Sequence, residues 1–379
     1  MRIAVVTETW PPEVNGVALT VQQFVQQLQA LGHQIELTRP MQTADPVAPV
    51  DSELQQNLVR GIRLPRYPDL RLGLPSANVF RRNWRKQRPD AVYVATEGPL
   101  GWSAVRVARE MGVRVVTGFH TRFDDYVAHY GARMLSPIVL AWLRRFHNRA
   151  DLTLVPTKQL VDALGAQGFH KLGHLARAVD CERFHPKHRD AELRASWGLQ
   201  PDTLAVLHIG RLAPEKNLDL VARSFERIRQ SQPLAKLIWV GDGPSLPELR
   251  SRHPEHVFCG VRRGLELSQH FASGDLFLFP SLTDTFGNVT LEAMASGLPV
   301  VAFDYAAARE HIHDGVSGRT VTFADGEAFI LAAEQLADDR AQRSEMGLLA
   351  RKALTALDQR QVALRLLQAL IPDPVEEAA

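Results

Sequence analysis

"DTFGNVTLEAMASGLPVV", residues 284–301, follows the apolar run "DLFLFPS" and ends in a second one, "PVVAF". The pattern is a short strand, a polar loop, a helix and another short strand. Strands that are apolar on both faces and separated by helices mean a parallel sheet covered on both sides. In such sheets ligands bind beyond the carboxyl ends of the strands. Asp284 stands on the loop, Phe286, Gly287, Asn288 and Val289 span the strand-to-helix junction, and Glu292 lies about one turn into the helix. Backbone amides at Gly287 and Asn288 suit a phosphate. Two acids at the same mouth do not bind phosphate; they suit hydroxyl groups on either side of it, as on a sugar or a ribose. The bland alternative is an acid that complements the helix dipole, plus an unrelated loop acid.

The same alternation runs through the whole chain. "RIAVVT", "AVYVAT", "VRVVTG" and "LTLVP" read as strands of a first half, and Val21, Phe24, Val25 and Leu28 recur at helical spacing after the first of them. The cycle restarts at "TLAVLHIG" and continues through "KLIWVG", "HVFCG", "DLFLFP" and "PVVAF". The charged stretch "AVDCERFHPKHRDAELRASWG" between the halves reads as a hinge. We expect two doubly wound α/β domains, residues 1–180 and 181–379, with the C-terminal helices (about 327–371) able to pack back on the first. The expected site is the cleft between the domains, and the tail "PDPVEEAA" is expected to be disordered.

Composition bounds the function. A chain of 379 residues exceeds the ~250–300 at which single cores stop growing. Apolar content of 45%, charged content of 23% and a formal charge of +2 are ordinary globular values that do not demand nucleic acid. Two cysteines, Cys181 and Cys259, argue for a reducing compartment and against a disulfide framework or a zinc site. No run approaches the roughly 20 apolar residues of a spanning helix. The expectation is a cytoplasmic protein. Residues 60–88 hold nine Lys/Arg and one acid, Asp69, with Trp84 inside "RRNWRK", the composition of a segment drawn to anionic lipid at the inner membrane face. A solvated basic loop is the other reading.

Further candidates lie at strand ends. Gly16, in "ETWPPEVNGVALTV", opens a helix whose amides face an anion, or merely shapes a tight connection. No GxGxxG fingerprint is present in either half, which disfavours a nicotinamide dehydrogenase. His120 follows the strand "VRVVT", where an imidazole reaches a substrate or plays a structural part. Arg211 and Lys216 in "HIGRLAPEKN" place a planar fork and a point charge on one loop, which reads as a clamp for a diphosphate or as a solvated basic loop. Gly241, Asp242 and Gly243 in "VGDGP" form a turn that lets backbone approach a planar ring. The other histidines lack a metal-ligand spacing.

Taken together, these segments resemble the retaining glycosyltransferases of family 4, which have the two-domain GT-B fold. The resemblance rests on five segments in the family's order: "TETWPPEVNGVALTVQQF", "FHTRFDDYVAHYG", "GRLAPEKN", "VGDGP" and "DTFGNVTLEAMASGLPVVA". It covers nearly the whole chain and is strongest toward the mannosyl- and glucosyltransferases that build glycolipids. It implies Gly16 against the donor diphosphate, His120 against the donor sugar, and Arg211 and Lys216 neutralising the departing diphosphate. It further implies that the "VGDGP" turn and the region of Val261 hold the base, that Glu292 binds the ribose, and that the first acid binds the transferred sugar. That acid departs from the family: it is Asp284 where the pattern has glutamate, one methylene longer. The donor would be a nucleotide-diphosphate sugar, the acceptor a lipid or sugar hydroxyl, with neither metal nor cofactor. Guanine and uracil are not distinguished by the sequence. Retention would follow a dissociative route in which the leaving phosphate oxygen takes the acceptor proton. A nucleotide-sugar epimerase on the same fold and a non-catalytic sugar-nucleotide sensor are the rivals.

Overall fold

A computed structural model describes residues 1–13, 15–42, 54–64, 67–120, 136–354 and 357–371, the side chains of 63, 64 and 67–70 excepted. The chain divides into two compact units. One comprises Met1–Ala178 together with the chain from Gln359 onward; the other comprises Val179–Asp358.

In the first unit the strands are β1 (Arg2–Val6), β2 (Gln34–Pro40), β3 (Gln55–Val59), β4 (Gly61–Leu64), β5 (Tyr67–Gly73), β6 (Ala91–Val94), β7 (Arg114–Gly118), β8 (Leu152–Val155) and β9 (Leu172–His174). Seven of them form a sheet in the order β3-β2-β1-β6-β7-β8-β9, with parallel pairing throughout. β4 and β5 form a separate antiparallel hairpin inserted after β3. The sheet's branches diverge between β1 and β6, which makes their carboxyl ends the switch point. Val21, Phe24, Val25 and Leu28 of the Gly16–Ala30 helix are buried against this sheet, at the helical spacing read from the sequence. Val362, Leu366 and Leu370 of the Gln359–Leu370 helix are buried in the same core. That apolar stripe is why the end of the chain belongs to the first unit and the second stops at Asp358 rather than at 379.

The second unit repeats the plan with β10 (Ala205–Ile209), β11 (Lys236–Val240), β12 (Val257–Gly260), β13 (Leu276–Phe279), β14 (Val300–Phe303) and β15 (Arg319–Val321). All pairs are parallel, in the order β12-β11-β10-β13-β14-β15, and the switch point lies between β10 and β13. β10 and β13 are buried along their length, as strands covered by helices on both faces must be.

Two aromatic residues of the basic segment are interior. In the Ala77–Lys86 helix Phe80 and Trp84 are each 1% exposed, packed under the Pro99–Glu110 helix. Trp84 is core, and only charges such as Arg82, Arg85 and Lys86 face outward. Among the described residues no helix is long and apolar enough to cross a membrane.

Candidate active site

The second unit's switch point carries a charge pair. Lys216 ends the short turn after β10, and Asp284 lies on the loop after β13. Lys216 Nζ donates to both Asp284 oxygens, at 2.8 and 3.0 Å, and to Ser281 Oγ at 3.2 Å. Its charge also lies 5.4 Å from the centre of the Phe279 ring. Below it, His208 on β10 is fully buried, stacked 6.0 Å from Phe279, with its Nδ1 3.0 Å from the Leu278 carbonyl. A carbonyl only accepts, so Nδ1 carries the proton. Burial pushes this imidazole down to about 4, so the support beneath the pair is neutral. Arg211 is more open, with Glu215 3.8 Å away.

The Asp284 loop is held from behind. Tyr305 Oη donates to the Asp284 carbonyl at 2.9 Å, and the Ala307 amide donates to the Phe286 carbonyl at 2.8 Å. Phe286 itself is 2% exposed, and with Ser281, Asp284 and Tyr305 it lines a small cavity of about 10 Å³. Gly287 caps the Asn288–Ala295 helix in the left-handed region, with φ of 88°, and Asn288 and Val289 start that helix half-buried. Glu292 follows one turn in. Burial lifts its carboxyl to about 7, and the nearby Arg183 charge opposes the shift only in part.

The glycines of "VGDGP" have a tighter reason than a ring. A Cβ on Gly241 would stand 1.9 Å from the Gly210 carbonyl oxygen, and one on Gly243 2.3 Å from that of Leu212. The Leu212 amide donates to the Asp242 carbonyl at 2.9 Å, and the Ser245 amide to the Leu212 carbonyl at 2.9 Å. The turn is therefore laid backbone to backbone on the loop that carries Arg211 and Lys216. Asp242 and Val261 are exposed.

In the first unit, Asn15 caps the Gly16–Ala30 helix by accepting from the Ala18 amide at 2.8 Å, leaving Gly16 exposed at its start. The preceding loop is braced by Glu13, which is paired with Thr9 and accepts from Gln42 at 2.9 Å. His120, beyond β7, is 9% exposed and engaged on two sides. Its Nε2 lies 2.8 Å from Tyr93 Oη, and Arg177 reaches its Nδ1 at 3.4 Å and its carbonyl at 3.2 Å. Burial, with the charge of Arg177 and the nearby His147, holds the imidazole well below its usual range. A cavity of about 10 Å³ lies against Tyr93, His120 and Arg177. The rest of the "FHTRFDDYVAHYG" segment, residues 121–131, falls within the stretch 121–135 that lies outside the described residues, as does the tail from 372.

Sequence reading missed Tyr93, Arg177, Ser281 and Tyr305, which sit in apolar or alanine-flanked runs that carry no local signal. Glu8 was not among the candidates either. At the first unit's switch point, Glu8 accepts from the Leu100 amide at 3.1 Å, and burial and Glu97 raise its carboxyl to about 8. Among the described residues one group of metal-ligating side chains stands together, His253, Glu255 and His256, at the amino end of β12. Trp239 donates to His256 Nδ1 at 3.2 Å, which puts the neutral ring's proton on Nε2, the atom a metal would need.

Comparison with known proteins agrees with this architecture. Residues 14–183 match the model described as Glycosyltransferase Family 4, and residues 203–339 the one described as Glycosyl transferases group 1. A GDP-mannose-dependent alpha-mannosyltransferase of Mycobacterium tuberculosis is 34% identical over 82% of this chain and 81% of the relative. An alpha-monoglucosyldiacylglycerol synthase of Streptococcus pneumoniae is 26% identical over 80% of this chain and 71% of its own. Sucrose-phosphate synthase of Thermosynechococcus elongatus superposes with a TM-score of 0.77 at 18% identity, covering 97% of this chain and 98% of that one. Two parallel sheets, each with its own switch point, these matched segments and these relatives lead to one conclusion: the chain belongs to the family 4 glycosyltransferases and is a retaining glycosyltransferase of GT-B fold.

Proposed function

We propose that the protein transfers mannose from GDP-mannose to a hydroxyl of a glycolipid acceptor, with retention at the anomeric carbon. The observation that carries the reading is the meeting of Lys216 and Asp284 at the switch point between β10 and β13, beside the helix start that bears Glu292. Lys216 and Arg211 take the diphosphate and stabilise its charge as it departs, the part a metal plays in other transferases. Asp284 takes hydroxyls of the sugar once Lys216 turns to phosphate, Glu292 takes the ribose, and the backbone around Gly241–Gly243 and Val261 borders the base. Phe286 borders the Asp284 side from the interior, and Gly287, Asn288 and Val289 offer the helix start. Gly16 and His120, both in the first unit, are assigned to the diphosphate and the sugar by the family resemblance alone. The donor base follows the name of the mycobacterial relative, and the lipid acceptor that of the streptococcal one. The exposed charges of residues 77–88 attract an anionic membrane by charge alone, since Trp84 is buried.

Turnover of GDP-mannose and UDP-glucose, each with and without a diacylglycerol or glycolipid acceptor, tests this reading, with the product anomer assigned by NMR. The proposal expects an α-mannoside formed from GDP-mannose only when acceptor is present. Preference for UDP-glucose would move the reading to a glucosyltransferase, and conversion without acceptor would mean an epimerase.

A further inference from the structure

Arg177 joins three elements of the first unit. It lies just before the boundary at Ala178, on the segment after β9, and is 6% exposed. One guanidinium nitrogen lies 3.5 Å from the Gly16 carbonyl and 3.4 Å from Thr20 Oγ1, on the first two turns of the Gly16–Ala30 helix. The other lies 3.2 Å from the His120 carbonyl and 3.4 Å from His120 Nδ1. A guanidinium has donors and no acceptor. His120 Nδ1 must therefore present its lone pair, and the neutral ring carries its proton on Nε2, toward Tyr93 Oη at 2.8 Å. Gly118 makes room for that contact, since a Cβ there would stand 2.3 Å from Tyr93 Oη and 2.5 Å from His120 Nε2.

We infer that Arg177 is a positioning residue: it fixes the tautomer and orientation of His120 and ties both to the start of the Gly16–Ala30 helix. This rests on the proposed place of His120 and Gly16 beside the donor. The two neutral imidazole tautomers differ little in energy, so the hydrogen bond on one nitrogen decides which nitrogen carries the proton. The charged and titratable groups facing the ring from the described elements are Arg177, Tyr93 on β6 and His147 on the Ser136–His147 helix. Arg177 and His147 both oppose a charge on His120. The ring is thereby held as a neutral hydrogen-bonding group, and Arg177 sets its direction.

Ring-nitrogen NMR of the histidines in the full chain, with His120 assigned from a His120→Gln variant, tests this directly. In the wild-type protein His120 is expected as a single Nε2–H tautomer that does not titrate where free imidazole does. Arg177→Gln is expected to give mixed tautomers, a titration moved back toward the ordinary value, and a kcat about tenfold lower with donor KM little changed. Arg177→Lys keeps the charge without the planar fork; it is expected to keep the low titration while losing the single tautomer, which also covers poor folding of the Gln variant. An unchanged tautomer and titration in both variants would overturn the inference. If the NMR changes appear while His120→Gln retains full turnover, the positioning stands and the assignment of His120 to the reaction falls.

Discussion

Lys216 Nζ lies 2.8 and 3.0 Å from the two carboxylate oxygens of Asp284, joining loops whose residues are 68 positions apart in sequence. The side chains are 14% and 18% exposed, so each charge depends on the other. A diphosphate entering this site competes with Asp284 for Lys216. Asp284→Asn removes the competing charge, and the account expects GDP to bind about tenfold more tightly, a gain of about 1.4 kcal/mol. Turnover is expected to fall, because the sugar loses a charged acceptor. Calorimetry and initial rates check both; weaker GDP binding in Asp284→Asn would mean that the carboxylate helps hold the nucleotide.

Glu292 makes stability depend on pH. Its carboxyl sits at about 7 in the folded protein, against roughly 4.3 in an unfolded chain. Between these values the native state keeps a proton that the unfolded state has lost. The contribution is complete below the lower value and is lost as pH rises through the upper one. Glu292→Gln, neutral throughout, is expected to gain stability relative to wild type as pH rises from about 5 to about 8. Urea midpoints of both proteins across that range check it, and parallel curves would show that this carboxyl does not titrate there.

Gly241 has φ of 139° and no space for a side chain, with the Gly210 carbonyl in the way. Gly241→Ala is expected to push the Arg211–Lys216 loop out of place, costing about 2–4 kcal/mol of stability and weakening nucleotide binding at least tenfold. A variant with wild-type midpoint and GDP affinity would show that the two loops separate freely.

Trp84 is a core residue, its ring 4.8 Å from that of Phe80. Trp84→Ala is expected to cost about 3–5 kcal/mol, read from denaturant unfolding. A loss well under that would point to a surface tryptophan and reopen its use at a lipid interface.

Strands were the most legible feature of the sequence, because parallel strands buried on both faces leave unbroken apolar runs such as "AVYV" and "LFLF". Arg211, Lys216 and Asp284 on loops, and Glu292 on the helix that follows, could be singled out as candidates too, since each comes after such a run. Their mutual arrangement was not legible, as the strand order β12-β11-β10-β13 is what carries Lys216 to Asp284. Tyr93 and Arg177 were hidden for the same reason: a tyrosine in an apolar strand and an arginine between alanines reveal their roles only once topology brings them to His120. Trp84 was misread because composition shows the basic neighbours of a helix and not which face is covered.

The most direct test of the central claim is calorimetric titration of the purified protein with GDP and UDP, repeated with Lys216→Ala and Glu292→Ala. The account predicts that GDP binds the wild-type protein, weakens about a hundredfold without the lysine, and weakens by a smaller factor without the glutamate. Nucleotide binding that is unaffected by either substitution would contradict it, because the diphosphate and ribose would then lie elsewhere than at the junction of β10 and β13.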